Sequence, residues 1–177
     1  ETLEELNITT LEQVQALEPS LTVSPASGRP NHPVYSLRGI RPTEAIYGQD
    51  PTVAVYLADV VQSPAQGSNL GMYDLSSVQV LKGPQGTLFG RNSTGGALLL
   101  TPTAPGEELG GYGEVRVGDY DLLHFEGAVD LPASDTLQFR LAGRSIDRDG
   151  YQDNVADNSL RGDEQYWDED SYGVRLS

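Results

Sequence analysis

The chain has 177 residues, enough for one domain or slightly more. Its 11 Lys and Arg against 26 Asp and Glu leave a formal net charge of −15, so it lacks the cationic face that neutralises nucleic-acid phosphates. Zero cysteines exclude a disulfide scaffold, thiolate metal sites, iron–sulfur clusters and thiol nucleophiles. No apolar run approaches the length of a transmembrane helix. A membrane-spanning strand needs only about 9–11 residues with alternate positions apolar, so a β-barrel stays open. Hydrophobic content of 37%, with 20 Gly and 11 Pro, suits a turn-rich β protein. Residue 1 is not Met, and Ser177 falls inside a strand-like run, so the chain is expected to be a piece of a longer protein.

Thr10-Leu11-Glu12-Gln13 is a capping-box signature, and Leu11, Val14 and Leu17 recur at helical spacing until Pro19. Short β-branched or leucine-rich runs follow at Val34–Ile40, Val53–Leu57, Val78–Leu81 and Ala97–Leu100, each bounded by turn residues, and these read as strands. Residues 20–33, 41–52 and 62–73 read as long irregular loops, a length that in a compact domain usually marks function. Pro102 to Gly111, rich in Pro and Gly, reads as a linker.

Beyond the linker the period becomes two. Leu123, Phe125, Gly127, Val129 and Leu131 alternate with His124, Glu126, Ala128 and Asp130, and Leu137, Phe139 and Leu141 alternate with Gln138, Arg140 and Ala142. Tyr112–Asp119 and Tyr172–Ser177 are shorter versions, with Val115 and Val117 opposed to Glu114 and Arg116. A soluble sandwich shows the same alternation, but the loops are unequal. Gly118–Asp121 and Leu131–Asp135 are tight, whereas Asp147–Asp170 is long and polar, with nine acidic and two basic residues, as on the outer side of an outer-membrane barrel. Its carboxylate spacing does not fit an EF-hand.

The densest motif is Lys82-Gly83-Pro84-Gln85-Gly86-Thr87-Leu88-Phe89-Gly90-Arg91-Asn92-Ser93-Thr94-Gly95-Gly96. It is neither a P-loop nor a dinucleotide fingerprint, because Gly90 is followed by Arg91-Asn92 and a strand, not a helix, comes next. What remains is backbone geometry: positions needing positive φ or close approach to another surface. No G-x-S-x-G elbow occurs, and the two histidines, His32 and His124, lie on unrelated segments, so no catalytic constellation is legible.

Ser36-Leu37-Arg38-Gly39-Ile40, Val53-Ala54-Val55-Tyr56-Leu57 and the glycine-rich block through Ala97, in that order and spacing, resemble the plug of TonB-dependent outer-membrane receptors. Ile8 to Leu21 is similar to that family's first plug helix, and residues 110–177 resemble its first barrel strands, including Arg148-Asp149-Gly150-Tyr151. One departure is Tyr56-Leu57-Ala58-Asp59-Val60 where the family reads Tyr-Leu-Asp-Gly-Val; Asp tolerates the left-handed region, so the turn is expected to survive.

The resemblance implies an α+β plug, a small mixed sheet with short helices, over residues 1–105. Residues 106–177 would be antiparallel strands opening a transmembrane barrel of about 22 strands. It implies an importer of the cell outer membrane, not an enzyme, with no catalytic, cofactor or metal site. The cargo would be a nutrient chelate: a ferric siderophore first, with haem, cobalamin or a saccharide as other possibilities. The implied partners are TonB, acting on a segment upstream of Glu1, and outer-membrane lipid. Arg38 and Arg91 are expected to pair with barrel carboxylates and anchor the plug. Tyr47, Gly48, Gln49 and Asp50, with Gln66, Ser68 and Asn69, are candidate ligand contacts by loop position and family analogy. The alternative is a soluble, non-enzymatic ligand- or protein-binding module of mixed α/β plus antiparallel sheet.

Overall fold

The computed structural model describes residues 10–26, 29–42, 50–62, 72–134, 136–150 and 168–177. Two compact units divide the chain, Glu1–Thr103 and Ala104–Ser177.

In the first unit, α1 (Leu11–Val14) is a single turn, closed at its start by the Thr10 N–H donating to Gln13 Oε1 at 3.1 Å. Leu11 and Val14 are buried, but the helix stops before Leu17, which is exposed. The Leu21 N–H donates to the Glu18 carbonyl at 2.9 Å across Pro19 and Ser20, a turn that Pro19 favours. Part of the stretch expected to be a loop at 20–33 is instead a hairpin of β1 (Leu21–Ala26) and β2 (Arg29–Leu37). The sequence conceals it because Pro25 and Pro33 sit opposite each other. In a two-stranded sheet each strand has a free side, and that is where a residue without an N–H is tolerated. β2 also ends at Leu37 rather than Ile40. Arg38 (φ 52°) and Gly39 (φ 78°) form a two-residue turn, closed by Leu37 and Ile40 donating to each other's carbonyls.

The second sheet has the order β4-β3-β6-β5, built from β3 (Val53–Leu57), β4 (Val60–Val61), β5 (Leu75–Lys82) and β6 (Gly96–Pro102). Its two central strands, β3 and β6, run parallel and read as near-continuous apolar runs, as strands covered on both faces do. Val53, Val55, Leu98 and Leu100 form the core with Leu11, Val14, Leu21, Val23, Tyr35, Leu37 and Met72. The Ala58-Asp59 turn does survive, with φ 50° and 63°, joining β3 to β4. Between β5 and β6 lies the short α2 (Gly86–Phe89).

The second unit is one antiparallel up-and-down sheet. Its strands, β7 (Gly110–Gly118), β8 (Leu122–Ser134), β9 (Leu137–Arg148) and β10 (Glu169–Leu176), are neighbours in chain order. Register puts Val115, Phe125, Ser145 and Tyr172 in one row of one face, and Arg116, His124, Ile146 and Ser171 in a row of the other. The burial is inverted relative to a protein in water. His124 and Arg140 are 6% and 7% exposed, whereas Phe125 and Leu141 are 51% and 42% exposed. Arg144 and Asp130 are buried too, while Val117, Leu123, Tyr172 and Val174 are open. Charged side chains resist burial and large apolar ones seek it, so this sheet is made to meet hydrocarbon on its outer face.

Candidate functional site

Two surfaces carry the chemistry, the glycine-rich segment of the first unit and the charged face of β7–β10. In the glycine-rich segment the backbone does most of the work. The Gly83 N–H donates to the Gly95 carbonyl at 3.0 Å, the Gln85 N–H to Ser93 at 2.9 Å, and the Gly95 N–H to Thr52 at 2.8 Å. Gly96 (φ +149°) sits where β6 meets its neighbours, and a Cβ there would lie 2.1 Å from the Leu81 carbonyl oxygen and 2.4 Å from Leu37 Cδ2. Only a residue without a side chain fits. At Gly96 the close approach is therefore to this sheet's own strands, whereas a Cβ at Gly83, Gly86 or Gly90 would meet nothing within 4 Å. α2 is tied down by the Tyr56 hydroxyl, which donates to the Phe89 carbonyl at 2.6 Å while the two rings pack 5.2 Å apart.

Gly95 also seats the base of the 41–52 loop, because the position of its missing Cβ is 3.2 Å from Ile40 Cγ2 and 3.3 Å from the Thr52 carbonyl. Asp50 is exposed and accepts a hydrogen bond from Asn92 Nδ2 at 3.2 Å, which links that loop to the segment carrying Arg91. Arg38, in the β2 turn, and Arg91 are both exposed. Tyr47, Gly48, Gln49, Gln66, Ser68 and Asn69 lie outside the described residues. One pair that sequence reasoning missed closes the first unit. Lys82 Nζ is 2.7 Å from Glu18 Oε2, and Ser20 donates to Glu18 Oε1 through its N–H and its hydroxyl. The ammonium and these donors hold the Glu18 carboxyl at about 2, well below the usual carboxylate range.

On the charged face, Glu114 and Arg116 form a two-point ion pair along β7. The Tyr112 hydroxyl donates to Glu126 Oε1 at 2.9 Å. His124 presents a buried Nε2 with no hydrogen-bond partner, 3.7 Å from Glu126 Oε2. Arg140 Nη1 lies 2.7 Å from Asp130 Oδ2, and the Arg140 guanidinium stands 6.0 Å from the centre of the Tyr112 ring. Arg148 reaches Glu169 at 3.4 Å near the long acidic connection. Alternation correctly placed Arg116, His124, Arg140 and Arg144 on one face, but only strand register shows which charges meet. No described helix is long and apolar enough to cross a membrane, which leaves crossing by strands untouched.

A small mixed-sheet domain followed by strands that are charged on one face and greasy on the other defines a plugged outer-membrane barrel protein. The family model described as TonB-dependent Receptor Plug Domain matches residues 1–97, and the chain belongs to that family. Pesticin receptors of Yersinia enterocolitica and Yersinia pestis are 28% identical over 137 residues, which covers 77% of this chain and 20% of theirs. The ferric yersiniabactin uptake receptor FyuA from Y. pestis superposes with a TM-score of 0.75 at 26% identity, covering 88% of this chain and 24% of that one. The pyoverdine receptor FpvA from Pseudomonas aeruginosa PAO1 shares the fold, with a TM-score of 0.64 at 22% identity over 83% of this chain and 21% of its own. The chain thus spans about a fifth of the length of the curated relatives it matches. These relatives are receptors rather than enzymes, and the outer membrane is where the chain resides.

Proposed function

We propose that this chain is the plug and first barrel strands of a receptor that imports a ferric siderophore across the outer membrane, driven by TonB through a segment upstream of Glu1. The observation that carries this is the inverted burial of β8 and β9, with arginine, aspartate and histidine buried and leucine and phenylalanine open, in a chain that begins with a plug domain. A soluble binding module would bury the opposite face. On β8 the apolar stretch from Leu123 to Leu131 is eight residue steps, about 27 Å along the strand and about 19 Å in height at a tilt near 45°. That approaches the apolar band of an outer-membrane barrel. The likeness to the ferric yersiniabactin uptake receptor FyuA supports an iron chelate as cargo ahead of haem, cobalamin or a saccharide.

In this reading Arg38 and Arg91, exposed on the plug, meet carboxylates of the barrel wall and hold the plug in place. Arg91→Glu should then admit a bulky antibiotic that the parent receptor excludes; unchanged transport and permeability would remove that role. Asp50, joined to Asn92, together with Tyr47, Gly48, Gln49, Gln66, Ser68 and Asn69, is proposed to face the ligand. The test of the whole reading is growth of a deletion strain under iron limitation on a panel of ferric siderophores, haem, cobalamin and saccharides. Loss of growth on at least one ferric siderophore, restored by the gene on a plasmid, is expected. Growth unchanged on every iron chelate in the panel would refute the cargo assignment.

A further inference from the structure

The segment between β6 and β7 reads as a Pro- and Gly-rich linker, but one point in it is held. The Gly106 N–H donates to Asp130 Oδ1 at 2.9 Å, while Asp130 Oδ2 takes Arg140 Nη1 at 2.7 Å. Both carboxylate oxygens are therefore engaged, one by the connector and one by the neighbouring strand. Asp130 and Arg140 face each other in register on β8 and β9, and both are more than nine-tenths buried. Gly106 comes so close that a Cβ there would stand 3.2 Å from Asp130 Cγ. Arg140 is fixed in turn beneath the Tyr112 ring, and Tyr112 is held by Glu126.

A buried ion pair is poor evidence of stability, because desolvating two charges offsets much of their attraction. What such a pair does well is specify geometry. We propose that Asp130 is the positioning residue of the plug-to-barrel joint. It clamps the connector to the charged wall at Gly106, four residues past the end of β6, so that the chain is fixed to the second unit from that residue on. Plug rearrangement during import is then confined to the chain ahead of that point. The inference rests on the plug-and-barrel reading but concerns only how the connector is held within the second unit.

The test uses the full-length receptor in outer-membrane vesicles, with a nitroxide attached at Glu108→Cys in the connector and, separately, at Tyr120→Cys in the β7–β8 turn as a control. Asp130→Ala removes both acceptors. The mobile fraction at 108 should rise by about tenfold, the factor implied by losing one charge-assisted hydrogen bond, with the control spectrum unchanged. Asp130→Asn keeps an oxygen for Gly106 but loses the charge, so its rise should be about threefold; it also carries the test if the alanine variant fails to fold. Heat-modifiable migration in gels reports separately whether the barrel is formed. A barrel that forms in the variants while the label at 108 stays as immobile as in the parent would overturn the clamp. So would equal loosening at 108 and 120.

Discussion

Placing a charge at Leu141 separates a lipid-facing sheet from a water-facing one. Leu141 lies on the open face of β9 opposite Val129, one row from the Gly127–Gly143 pair at the middle of the apolar stretch. Two residue steps at a tilt near 45° put it about 5 Å from mid-depth, where an arginine facing hydrocarbon costs about 2–4 kcal/mol. Leu123 lies four steps from Gly127 on the same face, about 10 Å from the middle, where the cost falls to about 0–1 kcal/mol. Leu141→Arg should therefore destabilise the receptor by about 2–3 kcal/mol, a drop of about 30- to 150-fold in the folding constant, and Leu123→Arg by less than about 1 kcal/mol. Reversible denaturant unfolding of full-length receptor in phospholipid vesicles, followed by tryptophan fluorescence, measures both. On a water-exposed face neither arginine would cost anything appreciable. Two equal costs, or none, would refute the lipid assignment.

Three further outcomes follow from the plug. Gly96→Ala drives a methyl into the Leu81 carbonyl and Leu37, both far inside contact distance, and should cost at least about 3 kcal/mol, seen as loss of protease resistance in residues 1–103. Ala58→Gly relieves a left-handed alanine at φ 50°. The relief of about 1–2 kcal/mol exceeds the added chain entropy of about 0.4–1 kcal/mol, so the plug's melting temperature should rise by a few degrees. Because the Glu18 carboxyl is held at about 2 when folded, against 4.5 otherwise, the unfolded chain binds its proton first as pH falls. Its stabilising contribution is complete above about pH 4.5 and disappears as pH drops to about 2, so Glu18→Gln should flatten plug stability across that window in an acid titration.

Much of the architecture was legible because local rules operate within a few residues. Period two marked β8 and β9 and their polar sides, the capping box marked the start of α1, and an Asp in place of Gly was rightly expected to keep the β3–β4 turn. The misreadings are local too. The β1–β2 hairpin was hidden by prolines that are harmless only on strands with a free side, and apolar spacing through Leu17 overstated α1, which ends at Val14 and leaves Leu17 exposed. Arg38 was singled out by its motif, but that it occupies a left-handed turn beside Gly39 became visible only in the backbone.

By itself the order of residues decided the material of each surface: an acidic, cysteine-free chain, a front domain of short apolar strands, and a rear sheet with one greasy and one charged side. Tertiary structure decided who meets whom. Glu18 with Lys82, Gly106 with Asp130, and Asp130 with Arg140 are set by strand register and by how distant segments come together, and a one-residue slip would dissolve each of them. Hydrogen bonds and ion pairs depend on separations of a few ångströms in space, which spacing along the chain does not encode.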